Sequence, residues 1–494
     1  MAGFIERYSL WTDEQKASAE RIKATIQEKN LLLIRTAWED QHGIMRSKSL
    51  LPGAFFSALE NGMQISTGTY IFDTANALVY NPFIPGGSFD MPAMTGAPNL
   101  VLAPDPTTFK VVPWAERTAY ILCDQYFKDG TPMPLSSRTI LRRALSVLHQ
   151  QGLEYVAGLE VEWHLSKLEN PMLEISHMGA PGSPAEPPQV SSVEHGYQYL
   201  QESFHPEVQA LLLQIAENLV AMELPLRSME NEWSPGQYEF TFEPMSGTAA
   251  ADAMLLFRVA VKQICRLNGY HASFMCRPSL KGCYSNGWHL HQSLTERDTG
   301  KNAFAAAEPA ALMSDLCKHF IGGLLAHAGA ASIFAVPTIN GYKRFAANSL
   351  APDRANWGYD NRGAMIRLQG GFGDPTTHIE NRLGEPAANP YLYMASQIIA
   401  GLDGIERQLD PGAPTEEPYA AQTQMLPKSL MDAAELLKRD TLYRNSMGDV
   451  FINFILTMKE SETKRFLESM GGCPPQDYLE KVTDWEHREY FALF

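Results

Sequence analysis

Apolar and polar positions alternate along this chain in two distinct rhythms. Residues 13–30 carry apolar side chains at helical spacing among many charges, which predicts an amphipathic helix. LLLIRTAWED (31–40) then reads as a strand, and QHGIMRSKSL (41–50) as a turn into a short helix. The stretch 62–114 is rich in Gly, Pro and strand formers, and its end, NLVLAPDPTTFKVVPW, predicts strand, turn and strand. A small β-rich unit over residues 1–112 is expected. Residues 113–494 are mixed. YILCDQYF (120–127) and EYVAGLEVEWHL (154–165) read as strands, and SRTILRRALSVLHQQG (137–152) as a helix with a Ser start and a Gly stop. Residues 206–224, 249–269 and 389–408 predict long amphipathic helices, and GAPGSPAEPPQ (179–189) an exposed loop. No internal repeat is visible. This order of strands and helices predicts an α+β fold.

Composition narrows the class. The 494 residues, 45% of them hydrophobic, suffice for a large core in more than one unit. A formal net charge of −16 excludes a nucleic-acid binder of the usual basic kind. Six cysteines without C-x-x-C spacing make no disulfide scaffold, and Cys276 and Cys283 are expected as thiols rather than metal ligands. The first residues, MAGFIERYSLWTDEQKAS, lack an apolar core segment, and no apolar run has membrane-spanning length. A soluble, cytoplasmic protein without a membrane partner is expected.

The candidate chemistry lies in four segments. Within Gly158–His164, strand alternation puts Glu160 and Glu162 on one face and Leu159 and Val161 on the other. Paired carboxylates repel unless a cation joins them, although a solvent-facing strand carries such pairs too. Residues 230–239 place Glu232 and Glu239 across a Pro-Gly turn, which is also what an ordinary acidic loop would show. Residues 286–293 place His289 and His291 on one strand face, and residues 378–383 do the same for Glu380 and Arg382. Carboxylates with an imidazole suit Mg²⁺ or Mn²⁺ better than Zn²⁺. Six ligands are too many for one such ion that also keeps waters, so two or more ions are expected. Arg344, Arg362, Arg367 and Arg382 supply positive charge for anions. Divalent ions with arginines describe phosphoryl transfer. No Walker loop and no G-x-G-x-x-G is present, so metals and arginines must handle the phosphate.

In this order the segments resemble the signatures of the glutamine synthetase family: E-x-E, G-Q-Y-E, N-G-x-H-x-H-x-S and I-E-x-R-x-x-E-P-x-A-N-P-Y. Asn340–Arg344, Trp357–Arg362 and a D-x-x-G-x-x-R-x-K from Asp40 to Lys48 add to the match. The resemblance covers nearly the whole chain. It implies an N-terminal β-grasp-like domain over residues 1–112 and a catalytic domain over 113–494 built on an antiparallel sheet. It implies that Glu162, Glu232 and Glu239 hold one metal and Glu160, His289 and Glu380 another. Gly287, Arg344 and Arg382 would bind glutamate, and Arg344, Arg362 and Arg367 would act in catalysis. His291, Ser293 and Arg367 would contact the nucleotide. The implied reaction is ATP-dependent: glutamate becomes γ-glutamyl phosphate, which an amine then attacks. The implied assembly is a homo-oligomer of stacked rings, commonly a dodecamer, with sites shared between neighbours.

The chain departs from ammonia-using members at the amine. Leu350 stands where those enzymes place a catalytic Glu in a flap, and the D-G-S-S loop that helps bind ammonium is missing; residues 81–90 offer only Asp90 as an acid. Losing both acids points to a larger, less basic organic amine, with anilines as the first choice, and Leu350, Phe83 and Phe89 are candidates for an apolar pocket. The sequence therefore looks more like γ-glutamylamide synthetases. Ordinary glutamine synthetase is the alternative, should Asp90 or a neighbour's residue replace the lost acids. A non-catalytic member of the fold is disfavoured because all six ligand positions are filled, and a guanidino kinase would need a guanidinium site in place of the segment at 378–391. His378 replaces the Arg usual near the nucleotide, and Gln424 stands where adenylylated members carry Tyr.

Overall fold

A computed structural model describes residues 2–170, 172–202, 206–472 and 477–494. Two sheets organise the chain. The smaller contains β1 (Leu33–Glu39), β2 (Met45–Leu50), β3 (Met63–Ser66), β4 (Asn99–Pro104), β5 (Lys110–Val111) and β6 (Thr118–Tyr126). Its order is β2-β1-β6-β4-β3, with β5 also on β6; β1 and β6 are parallel and the other pairs antiparallel. The sheet thus runs past the boundary expected at residue 112, because β6 lies between β1 and β4. The helix expected within 41–50 is instead the edge strand β2. Its Arg46 and Lys48 gave no strand-like apolar rhythm, yet a charged, exposed strand is what a sheet edge tolerates. The turn before it is fixed by the buried Asp40, whose carboxylate accepts from the amides of His42 and Ile44 at 2.9 Å each and from Arg46 Nε at 2.8 Å. Gly43 in that turn has φ +72°, and a Cβ there would lie 2.7 Å from Asn389 Cα.

The larger sheet contains β7 (Leu153–Leu168), β8 (Val190–Ser191), β9 (Leu226–Asn231), β10 (Gln237–Phe242), β11 (Met245–Ser246), β12 (Tyr270–Ser273), β13 (Trp288–Glu296), β14 (Trp357–Tyr359), β15 (Ile366–Gln369) and β16 (His378–Gly384). The main path is β14-β15-β16-β13-β7-β10-β9, antiparallel except for β14 with β15. The expected helices are present as Asp13–Glu28, Ser137–Gln150, Pro206–Ala221, Ala249–Leu267 and Pro390–Arg407. A side-chain cap starts the second of them, where Ser136 Oγ accepts from the Thr139 amide.

Alternation divides the large sheet into two faces. On the inner face, Leu159, Val161 and Trp163 of β7 are buried with Tyr238 and Phe240 of β10. Trp163 packs edge-on against Phe240 at 5.5 Å, and Phe257 of helix Ala249–Leu267 meets Phe242 at 5.0 Å. Trp288 of β13 meets Tyr393 of helix Pro390–Arg407 at 5.1 Å. Full burial of one such side chain contributes roughly 1.5–3 kcal/mol, so this layer fixes which way the opposite face points. A buried ion cluster joins the two sheets: Arg138 reaches Asp105 at 2.9 Å, Asp124 at 2.6 Å and Asp252 at 3.0 Å. Among the described residues no helix is long and apolar enough to cross a membrane. Five cysteines, Cys276 and Cys283 among them, are free thiols; Cys473 lies outside the described residues.

Candidate active site

The polar face of the large sheet gathers the six residues expected as metal ligands. Register brings them side by side: Glu239 pairs with Glu162 and with Glu230, His289 with Glu160, and His291 and Arg367 each with Glu380. Glu232 stands at the tip of the β9–β10 hairpin, where its amide donates to the Gln237 carbonyl at 2.8 Å. Ligand atoms of Glu160, Glu239 and His289 lie within 4.8 Å of one another, and so do those of Glu160, His291 and Glu380.

This grouping differs from the two triplets expected from the sequence. Glu160 belongs to both groups, and His291, expected along the nucleotide, joins it through Nε2 at 3.0 Å. The reason is local. His291 faces Gly158 across the β7–β13 pair, so Glu160, two positions along, is its diagonal neighbour and lies within reach of the imidazole. Glu162 is set apart, held by Gln237 Nε2 at 2.8 Å and the Gly287 amide at 3.0 Å.

Charge is concentrated here. Burial, and next the neighbouring Glu160, Glu162 and Glu232, push the Glu239 carboxyl up to about 11. Burial and Glu232 push Glu162 up to about 8, and burial pushes Glu232 up to about 7. Glu160 is held below the ordinary carboxylate range by hydrogen bonds from His289 and His291, which outweigh its burial. His289 is lowered to about 4 by burial and the Arg382 charge. Its neutral ring donates from Nδ1 to Glu160 at 2.5 Å and accepts at Nε2 from Arg344 at 3.1 Å. Crowded acids that resist ionising together are relieved by a divalent cation, and oxygen-rich donors with imidazoles fit Mg²⁺ or Mn²⁺.

The arginines divide. Arg344 is buried and donates to the Arg382 carbonyl at 2.7 Å. Arg382 pairs with Glu380 and donates to the Leu350 carbonyl at 3.1 Å, while its buried Nε has no partner among the described residues. Arg367 reaches Glu380 at 3.0 Å and Asp360 at 2.5 Å. Arg362 is exposed and, among the described residues, has no ion-pair partner. Gly287 leaves room for both groups: a Cβ there would be 2.6 Å from Arg344 Nη2 and 2.7 Å from His289 Nε2, and one or both would have to shift.

Beyond Glu160 and His291 the face opens into a cleft of about 1070 Å³ whose walls include Ser293, Gln369, Thr376 and His378. His378 Nε2 lies 3.0 Å from His291 Nδ1. Leu350, in the loop that follows Arg344, has φ +60° and is 57% exposed. Phe83 is 81% exposed, whereas Phe89 is buried and stacks on Tyr80 at 4.1 Å. Sequence reasoning passed over two supporting residues. Gln237, inside the quoted G-Q-Y-E, orients Glu162. Asn286, at the start of the His segment, bridges Gln237 at 3.0 Å and His164 at 2.7 Å.

Residues 134–490 match the family model for the glutamine synthetase catalytic domain. A γ-glutamylanilide synthase of Acinetobacter sp. is 43% identical over 99% of both chains. A glutamine synthetase of Pyrococcus furiosus is 33% identical over 83% of this chain and 90% of that one, and a glutamate–isopropylamine ligase of Pseudomonas sp. is 30% identical over 95% and 100%. The solved structure of apo GmaS shares the fold at 24% identity, with a TM-score of 0.72 over 94% of this chain and 98% of that one. The acid and imidazole face, its arginines and its glycine-tight corner thus stand in a chain that belongs to the glutamine synthetase family.

Proposed function

We propose that this protein is an ATP-dependent ligase that joins the γ-carboxylate of glutamate to an organic primary amine, with an aromatic, aniline-like amine as its preferred acceptor. One observation carries the reading. The acids and arginines for phosphoryl transfer are complete, while the flap position that holds a Glu in ammonia-using members holds Leu350. The full-length likeness to a γ-glutamylanilide synthase supports the same choice of acceptor.

Glu162, Glu232 and Glu239 would hold one Mg²⁺ or Mn²⁺, and Glu160, His289 and Glu380 a second, with His291 beside Glu160. When bound, such ions neutralise phosphate charge and favour displacement at phosphorus. The chain's own residues do the positioning. Arg344 and Arg382 orient glutamate, the latter with a buried Nε still free to donate. The cleft beside Ser293 and His378 receives the nucleotide, and Arg362 and Arg367 face the transferring phosphate.

In the first step a γ-carboxylate oxygen bonds to the terminal phosphorus and ADP leaves. In the second the amine lone pair attacks the acyl carbon, the carbon–oxygen bond to phosphate breaks, and the proton shed by the nitrogen goes to the departing phosphate. An arylamine is a far weaker base than ammonia and arrives neutral, so it needs no carboxylate at position 350. Ammonium would need both a counter-charge and a base. The assembly is read as stacked rings with sites shared between neighbouring subunits, which would bring the exposed Phe83 of one subunit toward the next. Phosphate release assayed with glutamate and ATP tests the reading. Release that depends on added organic amine supports it, and release with ammonium alone supports ordinary glutamine synthetase.

A further inference from the structure

Two aromatic side chains at the edge of the acidic face have no part in the steps above. Trp233 follows Glu232 at the tip of the β9–β10 hairpin, and its amide donates to Glu232 Oε2 at 3.1 Å. Its ring lies 5.6 Å from that of Tyr199, at an angle of 57°. Trp233 is 47% exposed and Tyr199 51%, so the pair stands open to solvent. The Tyr199 hydroxyl is within electrostatic reach of Glu232, Glu239, Glu230 and Arg362.

The corner is built rather than loose. The carboxylate of Glu194, just before Tyr199, accepts from Tyr238 Oη at 2.6 Å, Asn231 Nδ2 at 3.0 Å and the Gly236 amide at 3.4 Å. The Leu200 amide donates to the Asn231 carbonyl at 3.3 Å. Both aromatics are thereby pinned to the hairpin that presents Glu232 and Glu239. They also sit at the opposite end of the face from the large cleft. The cleft lies along residues 156–160 of β7, whereas the hairpin tip pairs Gln237 with His164, at the far end of that strand. A nucleotide entering through the cleft and an acceptor entering past the aromatic corner would approach the arginines from opposite sides.

We propose that Tyr199 and Trp233 form the wall that receives the ring of an aromatic acceptor and turns its amino group toward the acidic face. The proposal rests on the acceptor assignment above and names the residues that make it selective. Two splayed rings offer a third ring edge-to-face and offset contacts, which an ammonium ion cannot use. A small alkylamine gains less from them, because it buries less area.

The test uses the full-length protein at saturating ATP and glutamate, with aniline and isopropylamine as acceptors. Trp233→Ala and Tyr199→Ala are each expected to lower kcat/KM for aniline at least tenfold relative to isopropylamine, and Trp233→Phe to restore most of the ratio. The KM for glutamate, measured alongside, is expected to move less than the KM for aniline. A ratio that stays within twofold in both alanine variants overturns the wall. So does a parallel fall for both amines, which would mean that the residues act through Glu232. Wild-type protein that turns over ammonium alone overturns the acceptor assignment itself; aniline turnover with insensitive variants overturns only the wall.

Discussion

At the residue scale the site is a problem of like charges. Glu162, Glu232 and Glu239 all resist ionisation, because burial and neighbouring carboxylates oppose it. Glu239→Gln replaces a carboxyl that burial and its neighbours hold protonated at neutral pH in the absence of metal. Without metal, the variant is expected to melt above the wild type, which must take up a proton on folding. With excess Mg²⁺ or Mn²⁺ it is expected to gain much less than the wild type, for which saturation at a hundredfold over Kd gives about 2.7 kcal/mol. Turnover should fall by at least a hundredfold. Thermal melts with and without metal check this, and equal metal-induced shifts would contradict Glu239 as a ligand. The sequence showed these acids plainly, because strand alternation is local. It did not show that His291 joins Glu160, since that contact is diagonal across the β7–β13 pair and depends on its register. Nor did it show Tyr199 beside the acids, since the loop that carries it is placed by Glu194.

At the element scale, helices and central strands were legible and edges were not. The helix Ser137–Gln150 and the strand β7 follow from periods of 3.6 and 2. Strand β2 was missed because an exposed edge carries charges where a buried strand carries apolar residues. The place of β6 could not be read either, because pairing with β1 and β4 is non-local. Helix junctions hold a further consequence. His327, between helices Asp315–Ala326 and Ala328–Ala335, bonds Asp403 through Nε2 at 2.9 Å and Asp440 through Nδ1 at 3.1 Å. Both ring nitrogens face carboxylates, which only the doubly protonated ring satisfies. Burial works against that charge, but the hydrogen bonds to Asp440 and Asp403 outweigh it and raise the His327 pKa above its ordinary 6.5. The resulting stability is therefore complete below about 6.5 and is lost as pH rises through the raised value. The wild type is expected to lose on the order of 1 kcal/mol relative to His327→Gln between pH 6 and pH 9. Melting curves across that range check it; a constant difference between the two proteins would contradict the charged bridge.

At the scale of the whole molecule, the two sheets are fastened by the buried Arg138 cluster and by the turn around Gly43, where Asn389 Nδ2 donates to the Asp40 carbonyl at 3.2 Å. The motifs at Asp40 and Asn389, far apart in the chain, meet there, which the sequence could list but not join. Phe83 and Leu350 are exposed apolar side chains, and in the proposed ring assembly a neighbouring subunit would cover them. Light scattering is expected to give a ring-sized multiple of the 55.0 kDa chain, and a monomer with full activity would contradict the shared site. The acceptor remains the central claim. Its most direct test is kcat/KM for ammonium, ethylamine, putrescine and aniline with the wild-type enzyme at saturating ATP and glutamate. The account predicts that aniline exceeds ammonium by tenfold or more; ammonium ahead by tenfold would contradict it and return the chain to ordinary glutamine synthesis.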